Sequence, residues 1–555
     1  MEKRMIMAFA LSFLVLLVWA YTTSQRQGSA PKEAVTERGE VARAPERARP
    51  APEERPRSTM REPGKIEREI SPSKTEDVRE IEVDTPLYRA IISNAGPTLK
   101  SFKLKDYRAT ADPESPLVEL VDLGENRNDF FKIEFDHRSN PVGEEIIYQT
   151  EVDSLRLDPA SRPRDLVFRG ITADGISINQ TFRFYADKYP IDLQIRLSNN
   201  TGEAIEGNLR TYLNNFAPEK KKSYYSFVGV SLLLNDELEK IAPKKMKETK
   251  ILAGRIDWMA YEQDYFMAAI VSENQGRSSF QGLWQPSGMV EAIHTSSPIP
   301  LRVNEESDAS FTLYFGPRDI SFLKPLEKKL DLAINFGWFD IIAKPLLYAL
   351  RFFQGYVKNY GIAIILLTIV IKIIFWPLTH KSYKSMKEMQ KLQPLMAKIR
   401  EKYKNNKEQM NRELMGLYKT YKVNPMGGCL PMVIQMPVFF ALFRILGSSI
   451  ELRHAPFFLW ISDLSAPDRL FNFQFQVPFM SPPYGIPVLT LLMGASMFLQ
   501  QKMTPTPGDP SQAKIMMFLP IIFTFMFINF PSGLVLYWFT NNILSIGQQY
   551  RIKKS

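Results

Sequence analysis

The apolar run YGIAIILLTIVIKIIFWPL, residues 360–378, carries a lysine near its middle. On a helix, Thr368, Lys372 and Trp376 stand at i, i+4 and i+8 and share one face. An ammonium at the centre of a bilayer costs about 3 kcal/mol or more, so it normally faces water or a partner. Gln435 lies in the next apolar stretch, PMVIQMPVFFALF, and Asn541 and Asn542 lie in the last. No Asp or Glu falls inside any of the five later apolar stretches, so the sequence offers Lys372 no ion-pair partner. Snorkelling to the surface is the plain reading, but Lys372 is six residues, roughly 9 Å of helix, from Leu378. Water reaching in from one side to meet the charge fits better.

Other chemistries lack residues to carry them. The single cysteine, Cys429, excludes an intramolecular disulfide. His137, His294, His380 and His454 are scattered and show no metal-ligand spacing. There is no Gly-rich phosphate loop and no nucleophile elbow. No catalytic residue, metal or cofactor is therefore expected, and the chain does not read as an enzyme. Its 555 residues exceed one ordinary domain, and 70 Lys+Arg against 60 Asp+Glu leave a net charge of +10. A mean hydropathy of −0.19 argues against a purely polytopic chain.

The elements that must position Lys372 follow along the sequence. Residues 1–23 begin with Lys3 and Arg4, then run apolar to Trp19 and Tyr21. The run is long for a cleaved signal core, so it reads as an uncleaved anchor with its N-terminus in the cytoplasm. Residues 24–65 are rich in Pro, Ala, Glu and Arg and predict a disordered linker. Residues 66–323 alternate as strands. Ile191, Leu193, Ile195 and Leu197 share one face, as do Ile176, Ile178, Phe182 and Phe184. A large antiparallel β-sandwich outside the cytoplasm is expected. Residues 324–358 read as a linker and interfacial amphipathic helix, with Leu326, Leu330, Ile334, Ile341 and Ile342 apolar and Trp338, Phe339 and Tyr348 suited to a membrane surface. The alternative there is a core helix of the soluble domain.

Five further spans are expected at 359–378, 428–447, 484–501, 515–530 and 533–549, giving six with the anchor. Between His380 and Lys422 there are twelve Lys/Arg and four Glu, a net +8, which places loop 379–427 in the cytoplasm. Loop 448–483 carries only Arg453 and Arg469 as basic residues and lies outside. Loop 502–514 and tail 550–555 return inside, so both termini are cytoplasmic. Within the basic loop, Met389, Leu392, Met396, Ile399 and Tyr403 recur at helical steps, and so do Met410, Leu414, Leu417 and Tyr421. They predict a two-helix hairpin with basic outer faces, including Lys398, Arg400, Lys402 and Lys404. Topology charge alone and a contact with RNA or anionic lipid are both open readings.

The C-terminal half resembles the YidC family of membrane protein insertases. The stretches that carry the likeness are WPLTHKSYKSM, KLQPLMAKIR, KVNPMGGCLPMVIQMPVFFALF, ELRHAPFFLWISDLS and FPSGLVLYW. They cover most of residues 338–550 in order. The anchor, linker and sandwich resemble the Gram-negative members. This resemblance implies a five-helix core around a hydrophilic groove that is open to cytoplasm and lipid. Lys372 occupies the position where the family usually has arginine, keeping the charge but losing the two-pronged fork. Thr368, Gln435 and Trp538 would line the groove with it, and Met436, Phe439 and Phe527 would form an apolar slide for the entering helix. Implied partners are nascent membrane proteins, the Sec translocon, the ribosome and targeting factors, and the bilayer of the inner membrane, with no DNA. The rival readings are a channel or secondary transporter with an external solute-binding domain, and a membrane-anchored carbohydrate enzyme. The first lacks repeated halves and intramembrane acids, and the second lacks a nominated carboxylate pair.

Overall fold

The architecture was analysed in a computed structural model, which describes residues 78–121, 130–137, 146–216, 227–274, 276–421, 423, 430–503 and 510–554. The expected anchor 1–23, the linker 24–65 and Cys429 lie outside the described residues.

Among the described residues, Glu80 to Pro317 form eighteen strands in a five-stranded and a thirteen-stranded sheet. Strand Lys250–Glu262 organises the larger one. Its first half pairs with Arg277–Trp284, and its second half pairs with Phe266–Ser272 and Gly229–Leu234. The sheet therefore divides along this one strand. Ile191, Leu193, Ile195 and Leu197 are all buried on one face of Ile191–Asn199, as their alternation requires. Phe266–Ser272 is buried at every position, because both of its faces are covered. The five-stranded sheet joins this core through Tyr88 and Phe102, which stack at 4.5 Å, with Phe102 reaching Phe315 at 5.3 Å. Pairing is antiparallel except between Glu80–Asp84 and Ser154–Arg156, which run parallel.

The connection to the helical half departs from the expected continuous helix. Residues 324–339 form short 3-10 turns at Lys324–Leu326, Leu330–Ala333 and Gly337–Phe339. Pro325 begins the first turn, and Glu327, Lys328 and Lys329 all take positive φ, which stops helix propagation. Leu330 and Ile334 pack into the main core. Helix α1 is Asp340–Val357. It buries Ala343, Leu347 and Leu350 and exposes Ile341, Tyr348, Phe352 and Tyr356.

Helix α2, Tyr360–Lys391, is capped by the Asn359 side chain, which accepts from the Ile362 N–H at 3.1 Å. The expected boundary at Leu378 is not a helix end: α2 continues past Pro377 for a length of about 48 Å. Helices α3 (Gln393–Lys402) and α4 (Lys407–Thr420) form the basic hairpin. Pro394 sits in the first turn of α3, where its missing N–H costs nothing. The remaining helices are α5 (Leu430–Ser448), α6 (Val488–Met503), α7 (Pro510–Phe527) and α8 (Ser532–Lys554). Residues 484–486, expected to open a span, instead form strand Tyr484–Ile486, paired with Leu470–Phe473. Among the described residues, α2 alone is long and apolar enough to cross a membrane by length and composition; 435–448 and 517–527 are shorter apolar segments.

Candidate functional site

The site is built between α2 and α8, which pack along each other. Helix α8 presents Tyr537, Asn541 and Ser545 at four-residue steps, with Gln548 following on the same side. Helix α2 presents Lys372 and, seven residues on, Thr379. The Lys372 ammonium donates to Asn541 Oδ1 at 3.1 Å and to Ser545 Oγ at 2.6 Å. Asn541 Oδ1 also accepts from Gln435 Nε2 of α5 at 2.7 Å, and Gln435 reaches the Tyr537 hydroxyl at 3.3 Å. One turn further along, Gln548 Nε2 donates to Thr379 Oγ1 at 2.9 Å. On the neighbouring face of α8, Asn542 Nδ2 donates to Ser496 Oγ of α6 at 3.0 Å. Three helices thus meet at one buried cation through neutral dipoles.

Lys372 is 7 % exposed. Each of its hydrogen bonds offsets roughly 1.5–3 kcal/mol of desolvation, since the donor is charged. No ion pair among the described residues includes it, so its charge is solvated by the protein but not cancelled. That arrangement suits a group that must attract an acid briefly and release it.

Five of the seven expected groove and slide residues fall into two clusters. Lys372 and Gln435 meet through Asn541. Thr368 is buried, and its hydroxyl turns back to the Ile364 carbonyl at 2.6 Å instead of joining them. Trp538 faces the other way, into an aromatic cluster with Phe439 (4.6 Å, edge-on) and Phe527 (5.2 Å). Phe527 is fully buried there, while Met436 and Phe439 are half-buried. The polar and aromatic groups therefore occupy successive sides of α8. Asn541 bridges the lysine and the glutamine. Its position in the last apolar stretch was visible, but its shared contact depends on the packing of three helices. Ser545 and Tyr537 carried a signal in their four-residue spacing from Asn541.

The basic hairpin has a separate small core of Met389, Leu392, Met396 and Leu414, with Ile399, Met410, Leu417 and Tyr418 against it. Lys398, Lys402 and Lys404 are exposed and Arg400 is half-buried. Tyr403 and Tyr421 stand outside this core, and Lys402 lies over the Tyr403 ring at 5.2 Å.

At the far end of the bundle, Arg351 of α1 pairs with Asp319 at 2.5 Å and with Glu451, just after α5. Burial pushes the Glu451 carboxyl above the usual range, against the opposing pull of Arg351. Arg453 donates to the Arg108 carbonyl at 2.5 Å and lies over Phe266. These contacts fasten the sandwich to the helices. No cluster of three or more His, Cys, Asp or Glu suited to a metal occurs among the described residues.

Comparison with known proteins gives this geometry its context. The family described as "60Kd inner membrane protein" matches residues 352–555, and the "YidC periplasmic domain" matches 80–349. The membrane protein insertase YidC of Syntrophobacter fumaroxidans is 40% identical over 559 residues, covering 100% of both chains. This chain belongs to the YidC family of membrane protein insertases. The YidC of Syntrophus aciditrophicus is 43% identical over 563 residues, again covering 100% of both chains. A crystal structure of an active YidC insertase with its first transmembrane domain resolved covers 85% of this chain and 94% of its own, at 20% identity and a TM-score of 0.37. As a YidC-family protein the chain is an inner-membrane insertase with a large β-rich periplasmic domain and a helical C-terminal half. Nothing in these matches supports a transporter.

Proposed function

We propose that the chain inserts nascent membrane proteins by way of the polar seam between α2 and α8, acting as a positively charged hydrophilic groove. The observation that carries this reading is the Lys372 ammonium, held by Asn541 and Ser545 with no carboxylate recorded on it. A translocating polar segment in hydrocarbon costs several kcal/mol for each unsatisfied group. Donors and acceptors already arranged between helices lower that barrier. The cation attracts an acidic residue of the passing tail, and exchange of Asn541 and Ser545 for that residue costs little. Met436, Phe439 and Phe527 would guide the apolar segment, with Phe439 and Trp538 parting to admit it. The segment then leaves sideways into lipid, driven by transfer of apolar surface.

In this reading the chain spans the membrane six times, around a five-helix core. Both termini and the basic hairpin are cytoplasmic. Lys398, Arg400, Lys402 and Lys404 contact the ribosome or targeting factors, and the protein works alone or with the Sec translocon. The test is photocrosslinking from positions 376, 435 and 541 to a stalled nascent membrane protein in vesicles, with position 171 on the sandwich as control. Crosslinks from the three helical positions and none from the control are expected. Crosslinks absent from all three would end the groove reading.

A further inference from the structure

The segment between Leu470 and Pro487 carries exposed aromatic side chains that the insertion site does not use. Its strands Leu470–Phe473 and Tyr484–Ile486 form a small hairpin. Phe471, Phe475 and Phe479 are 70 %, 65 % and 83 % exposed. Residues 471–487 contain no charged side chain. Phe471 and Phe479 hold φ of +54° and +63°, a backbone region that bulky residues rarely adopt and that persists only where surrounding structure enforces it.

Around Phe479 the surrounding structure supplies such contacts. Arg469 donates to the Ile528 carbonyl at 2.8 Å and the Pro483 carbonyl at 2.8 Å. Asn529 Nδ2 donates to the Phe479 carbonyl at 2.8 Å, and Asn529 Oδ1 accepts from the Ser481 N–H at 2.8 Å. The hairpin is thereby tied to the turn between α7 and α8, at one end of the helical bundle. Its apolar surface continues directly into the bundle's outer face: Ile486 is followed by exposed Leu491 and Leu492 of α6. Water would meet a charge-free aromatic surface held rigidly outward, adjoining helices of an inner-membrane protein. Exposed Phe and Leu side chains are the groups by which interfacial segments bury into the headgroup–acyl boundary.

We propose that hairpin 470–487 is a wedge seated in the bilayer, its Phe471, Phe475 and Phe479 rings at the headgroup–acyl boundary, with lipid as its partner. The leaflet, the outer one, rests on the topology proposed above; the insertion itself does not.

The test uses the full chain in lipid nanodiscs with Cys429→Ser and a single nitroxide at Phe475→Cys or Phe479→Cys. Reference labels go at Leu491→Cys on the helix face and at exposed Ile171→Cys on the sandwich. Collision with oxygen and with a water-soluble nickel chelate reports depth. The expected result is oxygen access well above nickel access at 475 and 479, close to that at 491 and opposite to that at 171. Access like position 171 would overturn the wedge. Shielding from both reagents would overturn it too, because a protein surface would then be covering the rings. Nickel sealed on one side of vesicles reads the leaflet separately, so an error of topology is distinguishable from an error about insertion.

Discussion

Glu262 in the sandwich and Lys372 in the helical half are both buried charges, and the two are held in opposite ways. In the sandwich, Glu262 is fully buried between Lys240 at 3.0 Å and Arg318 at 2.9 Å. Both cations also donate to the Ala333 carbonyl, so the cluster holds the turns that lead to α1. In the helical half, Lys372 is buried among neutral oxygens. A cancelled charge fixes a structure, because removing one partner strands the others. An uncancelled charge held by dipoles remains available to a passing acid. In the proposed reading, the difference separates a scaffold from a working site within one chain.

That contrast is breakable. Glu262→Leu should produce the largest effect, a loss of roughly 3–5 kcal/mol of stability, since two cations lose their buried carboxylate. Thermal unfolding of the full chain measures it, and insertion per folded molecule should stay unchanged. Equal thermal stability of variant and parent would remove the distinction between the two charges.

A buried neutral group sharpens the scaffold side. Burial pulls the His294 pKa down to about 4 from an ordinary 6.5. The unfolded chain therefore binds a proton that the folded chain refuses between those values, and stability falls as pH drops through that window. His294→Gln should flatten the slope of unfolding free energy between pH 6.5 and 4. An unchanged slope would place the acid sensitivity elsewhere.

On the working side, Lys372→Glu should slow insertion of substrates with acidic tails by about tenfold or more, because ~1.4 kcal/mol of repulsion is already one decade. Lys372→Arg should stay within about threefold, as the charge is kept. Rates in reconstituted vesicles, acidic against neutral tails, decide it. Equal slowing of both tails by Lys372→Glu would mean that packing, not charge, is what the lysine supplies.

The smallest effect is expected at the basic hairpin. Reversal of Lys398, Arg400, Lys402 and Lys404 to Glu should weaken ribosome co-sedimentation a few-fold at low salt. The difference should shrink at ~0.15 M, where screening acts within about 8 Å. Binding equal to the parent at both salts would leave those charges to topology alone.

Much of this was legible in the sequence, for physical reasons that differ by region. Strand alternation at Ile191–Leu197 reads directly, since a period of two needs no tertiary knowledge. Lys372 stood out because a charge in an apolar run is costly wherever it sits. The hairpin seam at Met389, Leu392, Met396 and Leu414 followed from helical spacing. What was hidden depended on register between distant segments. Nothing local tells Asn541 that it will join Lys372 to Gln435, or turns Trp538 from the polar cluster to the aromatic one. The broken helix at 324–339 was missed because its apolar spacing mimics a helix while three consecutive positive φ values interrupt it. Strand Tyr484–Ile486 was absorbed into a span because its apolar residues adjoin the true helix start at Val488.

One helix joins the buried cation to the basic hairpin. Helix α2 carries Lys372 and, seventeen residues later, Met389, which belongs to the small core of the basic hairpin. The separation is about 26 Å along the helix. Anything that tilts the hairpin therefore pulls on a stiff lever whose other arm bears the cation. Pro377 lies between the two and removes one hydrogen bond from the rod, which makes it the natural pivot. A bend at Pro377 would divide the rod into an arm of five residues toward Lys372 and one of twelve toward Met389.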